Sequence, residues 1–168
     1  MTAFQDPLQR AFACVTKAVP RSQGGYHVSP EPHAITLGTG GTRVRLSGAS
    51  RVHIRFTQFY RIVPVDESRH SWQVVATSYF YALDDADQRE IIAFHWHPDR
   101  RSDVTEPHLH LGPGARIGYD RLHRAHIPTG HVTIQDVLHL AISDLGVEPI
   151  VDRETALQTL ASTRRAPS

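Results

Sequence analysis

Cysteine is almost missing from this chain: Cys14 is the only one in 168 residues. One thiol excludes an intramolecular disulfide and cannot build a thiolate zinc cage, a pattern that fits a reducing compartment. Any metal here must therefore be held by imidazole and oxygen. Long apolar runs are also missing. No stretch approaches the roughly 20 residues that span a bilayer, and nothing near the N-terminus resembles a secretory apolar core, so the expectation is a soluble, cytoplasmic protein with no membrane contact. Lysine is as scarce as cysteine, with seventeen arginines against Lys17 alone. A GC-rich genome explains that preference, so only clustering is informative. Residues 41 to 61 carry Arg43, Arg45, Arg51, Arg55 and Arg61 and no acid, a local basic patch on a chain whose net charge is only +1.

The length suits one domain spanning 1–168, and an apolar content of 40% supports a core. Asp6-Pro7 reads as a cap followed by proline at the first helical position, and Leu8, Phe12 and Val15 recur at helical spacing, predicting a helix over 7–18. Pro20 and Gly24-Gly25 end it. The pattern then turns to period two. Ala34 to Leu37 and Thr42 to Ser47 read as a hairpin across Gly38-Thr39-Gly40-Gly41, and Val52 to Pro64 alternates apolar Val52, Ile54 and Phe56 with Arg51, His53 and Arg55. Trp72 to Leu83 and Glu90 to His97 form a second hairpin across the polar residues 84 to 88. A sheet core over 34–111 follows, of five to seven strands. Thr133-Ile-Gln-Asp opens a helix closed by Gly146, and Asp152 caps a last one, so that helices occupy 133–162. The fold class is α+β: an antiparallel β-sheet with helices packed on one face.

What the chain has in abundance is histidine, twelve in all. Four fall within sixteen residues as two copies of one tripeptide pattern, His95-Trp96-His97 and His108-Leu109-His110. Alternate side chains of a strand share a face, so each run aims both imidazoles one way and its middle residue the other. Two such strands together make a four-imidazole surface. Imidazole binds metals and donates or accepts protons near neutral pH. The remaining eight histidines read as surface or structural groups.

Two chemistries fit His95, His97, His108 and His110 as a catalytic set. In the first, one histidine of each run serves as base or acid in phosphodiester hydrolysis, with Arg43, Arg45, Arg55, Arg100 or Arg101 holding phosphate. In the second, the same four imidazoles, with Asp99, Asp103 or Glu106, hold zinc, iron or manganese in a hydrolase or oxygenase. A third reading is a non-catalytic binding module with structural histidines. Familiar paired-histidine signatures do not apply. Arg101 and Ser102, or Gly114 and Ala115, stand where a cupin needs glutamate, and Pro98-Asp99 and Leu111-Gly112 where a histidine-triad hydrolase needs its third histidine. Two-histidine phosphoesterases use His-x-Thr or His-x-Ser, which neither run supplies.

The arrangement of Phe94-His95-Trp96-His97-Pro98, a short loop, Pro107-His108-Leu109-His110 and a later helix resembles the TumE-type toxins of bacterial toxin-antitoxin pairs. The resemblance covers residues 34 to 145. That family carries arginine and aspartate around the strand's aromatic residue and a Pro-His-His afterwards, whereas this chain has His95 and His97 there. The resemblance implies a small toxin-like effector that acts on RNA and is held by a cognate antitoxin.

Overall fold

In the computed structural model, which describes residues 2–25, 27–66, 71–98 and 103–164, an eight-stranded antiparallel sheet carries three helices. The strands are β1 (Pro20–Gln23), β2 (His33–Leu37), β3 (Val44–Arg45), β4 (His53–Asp66), β5 (Ser71–Asp84), β6 (Glu90–Trp96), β7 (His108–Leu111) and β8 (Ile127–Pro128). The helices are α1 (Thr2–Ala13), α2 (Ile134–Ser143) and α3 (Arg153–Thr163). The sheet order is β1-β2-β4-β5-β6-β7-β8, with β3 also paired to β4. No helix among the described residues is long and apolar enough to cross a membrane.

The alternation of β4, β5 and β6 decides which face is buried. Ile54 and Phe56 of β4, Tyr79, Tyr81 and Leu83 of β5 and Phe94 of β6 join one core with Leu8 and Phe12 of α1, Val137, Leu138 and Ala141 of α2, and Leu160 of α3. Phe12 meets Phe56 edge-on at 4.9 Å, and Tyr79 and Tyr81 stack at 4.6 Å. All three helices therefore cover the same face, and Arg55, Phe80, Ala82, Ala93 and His95 fall on the other. Tyr81 keeps its hydroxyl inside this core by donating to Gln58 Oε1 at 2.9 Å.

Three elements differ from expectation. The first helix runs from Thr2 to Ala13 rather than over 7–18, with Pro7 inside it. Proline there costs one backbone hydrogen bond, and burial of Leu8, Ala11 and Phe12 against the sheet outweighs that loss. Val15 is buried beyond the helix end, where the amides of Val15 and Thr16 both donate to Phe12 O. The segments around Gly38–Gly41 do not pair with each other. Instead β2 and β3 lie one after the other along the same edge of β4, with Thr36 opposite Thr57 and Val44 opposite Ile54. Positive φ at Gly38, Gly40 and Gly41 shapes a short 3-10 step between them, not a reversal of direction. Finally, the sheet extends beyond 34–111 to Pro20 at one edge and Pro128 at the other.

The C-terminal helices begin where their caps place them. The Thr133 hydroxyl accepts from the Asp136 amide while the Asp136 carboxylate accepts from the Thr133 amide, closing a capping box. Asp152 accepts the Thr155 amide at 2.9 Å to start α3.

Candidate metal centre

The four histidines of the paired runs converge. Strand β6 faces β7 with His95 directly opposite His108 and Ala93 opposite His110. The His95 and His108 rings stack at 5.5 Å with 12° between their planes. His110 stands edge-on at 5.0 Å from both of them, and His97 reaches His108 diagonally at 5.5 Å. Opposed and diagonal side chains on neighbouring strands fall within this reach, so pairing in register is enough to assemble the group. On the reverse side of β6, Phe94 is buried and Trp96 is half-buried against the core. The alternation expected of this strand holds on both faces.

A fifth imidazole joins them. His126 precedes the two-residue strand β8, whose Ile127 pairs with Leu109 and Pro128 with His108. The next position in that register lies beside His110, and the His126 ring sits 4.4 Å from His110 and 5.0 Å from His108. By sequence alone His126 reads as a surface or structural histidine. A strand of two residues is too short to show a period, and Pro128 alone hinted at an edge strand.

Two sets of three potential ligand nitrogens each lie within 4.8 Å of one another: His95, His97 and His108, and His108, His110 and His126. Tetrahedral zinc with Zn–N of about 2.0–2.1 Å sets its nitrogens about 3.3 Å apart, so holding an ion would draw these rings closer together. His108 belongs to both sets and is the most enclosed, at 2% exposure. Its orientation is fixed from outside the cluster. The Glu106 carbonyl can only accept, so His108 Nδ1 donates to it at 2.7 Å and Nε2 carries the free lone pair. His97 Nδ1 is buried without a hydrogen-bond partner.

Two of the imidazoles are pushed toward the neutral form. Burial, reinforced by the neighbouring His110, His108, His97 and His126, pushes the His95 imidazole down to about 3. Burial also lowers His110, helped by His126 and His108 and opposed by Glu90 and the Ala125 backbone.

The candidate acids and arginines are distributed differently. Both three-residue sets among the described residues consist of histidine alone. Asp103 is exposed, and Glu106 contributes its backbone carbonyl to the site through His108. Asp99, Arg100 and Arg101 lie outside the described residues. Arg43 and Arg55 do lie on the histidine face, but both are engaged. The Asp84 carboxylate, fully buried, accepts Arg43 Nε at 2.7 Å and Arg55 at 2.9 and 2.8 Å, and Arg55 also pairs with Glu90 at 2.8 Å. These bonds, led by Asp84, raise the Arg55 pKa. Arg45 is exposed, with its Nη2 donating to the Gly48 carbonyl at 3.5 Å. Phe80 links the two groups, with the Arg55 guanidinium 5.0 Å from its ring centroid on one side and the His95 ring at 4.9 Å on the other. Compared with protein-family models, with curated proteins and with solved structures, the chain matches none.

Proposed function

We propose that the chain is a metal-dependent hydrolase whose ion is held by His95, His97 and His108. The observation that carries this reading is the convergence of three imidazoles within 4.8 Å around a His108 whose free nitrogen is set by the Glu106 carbonyl. Three protein ligands with one position left open is the arrangement of catalytic zinc, and an all-imidazole set suits zinc better than magnesium or calcium. The ion would supply a bound water acidic enough to be hydroxide near neutral pH. His110, whose ring stands 5.0 Å from both His95 and His108, would lie beside that ion and its water.

The metal-free phosphodiesterase alternative keeps the same histidines and, through the toxin resemblance, an RNA substrate and an antitoxin partner. It has less support. The His95 imidazole, held near 3, is too weak a base to carry a proton at neutral pH, and two of the three described candidate arginines already satisfy Asp84. Elemental analysis of the purified chain, followed by assays on RNA and on activated phosphate and carboxylate esters with and without chelator, separates the readings. The metal reading expects about one transition-metal equivalent and activity that chelation removes and zinc restores. Cleavage of RNA that ignores chelation would overturn it in favour of acid-base catalysis.

A further inference from the structure

We propose that the cluster is a two-seat relay for a single ion, in which His108, His110 and His126 form an outer loading seat that hands the ion across His108 to His95 and His97. The inference rests on the metal-dependent reading above and adds the route by which the centre is filled.

The two ligand sets overlap at one residue, His108. With Nδ1 committed to the Glu106 carbonyl, a neutral His108 has one free nitrogen and binds one ion at a time. Neither set includes a carboxylate. Two divalent ions a few ångströms apart would repel each other with no carboxylate ligand, among the described residues, bridging or completing either set, so five imidazoles describe two alternative seats and not a pair of ions. Five nitrogens also exceed the four that zinc takes.

Exposure gives the relay its direction. His126 is exposed, His110, His95 and His97 are half-buried, and His108 is buried. An ion arriving from solvent meets the exposed His126 first, whose ring lies 4.4 Å from His110. His110 lies at 5.0 Å from both His108 and His95, so it borders both seats. In transfer, the bonds from the ion to the His126 and His110 nitrogens break, one after the other, as bonds to His95 and His97 form, while His108 remains attached. Imidazole replaces imidazole at each exchange, so the charge of the complex is unchanged and no proton is transferred. At no point does the ion have to regain its full hydration shell inside the cleft, which is the costly alternative for a buried dication.

The relay predicts a kinetic signature distinct from ordinary ligation. Removing a way station slows loading and release equally and leaves the equilibrium affinity unchanged. The probe is cobalt(II), whose four-coordinate imidazole complexes absorb in the visible. Metal-free wild-type chain and the variants His126→Ala, His126→Asn, His97→Ala and His131→Ala are titrated with it at equilibrium and mixed with it in a stopped-flow instrument. His131 is the control, because it is exposed and packs on Trp96 outside both sets. The expected results are one equivalent bound by wild type and loading and release both about tenfold slower in the two His126 variants, at unchanged dissociation constant, with His131→Ala behaving as wild type. His97→Ala should load at the wild-type rate, bind more weakly and show a different visible spectrum. Two equivalents in wild type, or a His126 variant that loads at the wild-type rate, would overturn the relay and leave the metal reading standing. A weakened affinity with normal loading would make His126 a resident ligand and also overturn it. Failure of wild type to bind cobalt at all would remove both.

Discussion

The Nδ1–H of His108 donates to the carbonyl of Glu106 at 2.7 Å, two residues earlier in the same chain. This bond selects the tautomer and the ring orientation, and it makes Glu106 matter through its backbone and not its carboxylate. Replacing Glu106 with glutamine should therefore leave zinc affinity within about twofold of wild type, because the carbonyl is unchanged. His108→Ala removes the one nitrogen common to both sets and should lower affinity by about a hundredfold or more. Competition titration against a chromophoric chelator measures both. Equal losses in the two variants would mean that the carboxylate swings in as a ligand.

The depressed His95 pKa makes the metal-free protein acid-sensitive. Burial comes first among the causes, followed by the other imidazoles, and the folded-state value lies near 3 against 6.5 for an ordinary histidine. Between those limits the unfolded chain takes up a proton that folded His95 refuses, so protons favour unfolding and stability falls as pH drops from 6.5 toward 3. Above 6.5 both forms are neutral at this site and the effect vanishes. Thermal melts of the metal-free protein should show a declining midpoint from about pH 6.5 downward, and His95→Gln should flatten that decline. An identical slope in wild type and variant would place the acid sensitivity elsewhere.

How much of this was readable from residues alone depends on the length of each pattern. Ile92, Phe94 and Trp96 against His95 and His97 is an alternation long enough to identify a buried face, and the structure honours it. The β5 to β6 connection was equally clear, since polar residues 84 to 88 separate two aromatic strands. Asp84 was the exception. It looked like a turn acid, yet β5 runs one residue further than its apolar pattern, and Asp84 ends the strand fully buried beneath Arg43 and Arg55. Pairings between residues 29 and 41 positions apart leave no local trace. The same is true of His126, which reaches the cluster only because β8 docks on β7.

That buried carboxylate should be among the most sensitive positions in the sheet. Asp84→Ala leaves Arg43 without its ion-pair partner and Arg55 with Glu90 alone, and is expected to cost about 3 kcal/mol, the usual loss when one member of a buried ion pair is removed. Arg43→Ala should cost less, since Arg55 still holds Asp84 and Arg43 is 39% exposed. Urea denaturation measures the difference. Equal costs would show that Arg55 cannot compensate.

The two rings behind the histidines should differ in weight. Phe94, at 7% exposure, belongs to the core, whereas Trp96 is half-buried and meets His131 edge-on at 4.3 Å. Phe94→Ala is expected to cost about 3 kcal/mol or more. Trp96→Ala should cost roughly 2 kcal/mol, because part of its surface is already wet in the folded chain. Near-zero cost for Phe94→Ala would mean that the strand can turn over, and with it the histidine face.

The register that sets His108 against His95 depends on a glycine just beyond β7. Gly112 donates its amide to Ile91 O at 3.0 Å, and a side-chain carbon added there would press on the Glu90 carbonyl oxygen and come within 2.6 Å of Glu90 Cβ. Backbone cannot yield as a flexible side-chain tip can. Gly112→Ala must therefore push the end of β7 away from the start of β6, at an expected cost of about 1–3 kcal/mol. The displaced segment carries His110 and His108, paired with Ala93 and His95 across the same ladder. Zinc binding should consequently weaken by more than the fall in stability alone accounts for under conditions where the variant remains folded. Calorimetric zinc titration well below the variant's melting temperature tests this. Wild-type affinity in a destabilised Gly112→Ala would show that the imidazoles hold their positions independently of the strand end, and the convergence would then owe more to β8 and His126 than to the β6 to β7 register.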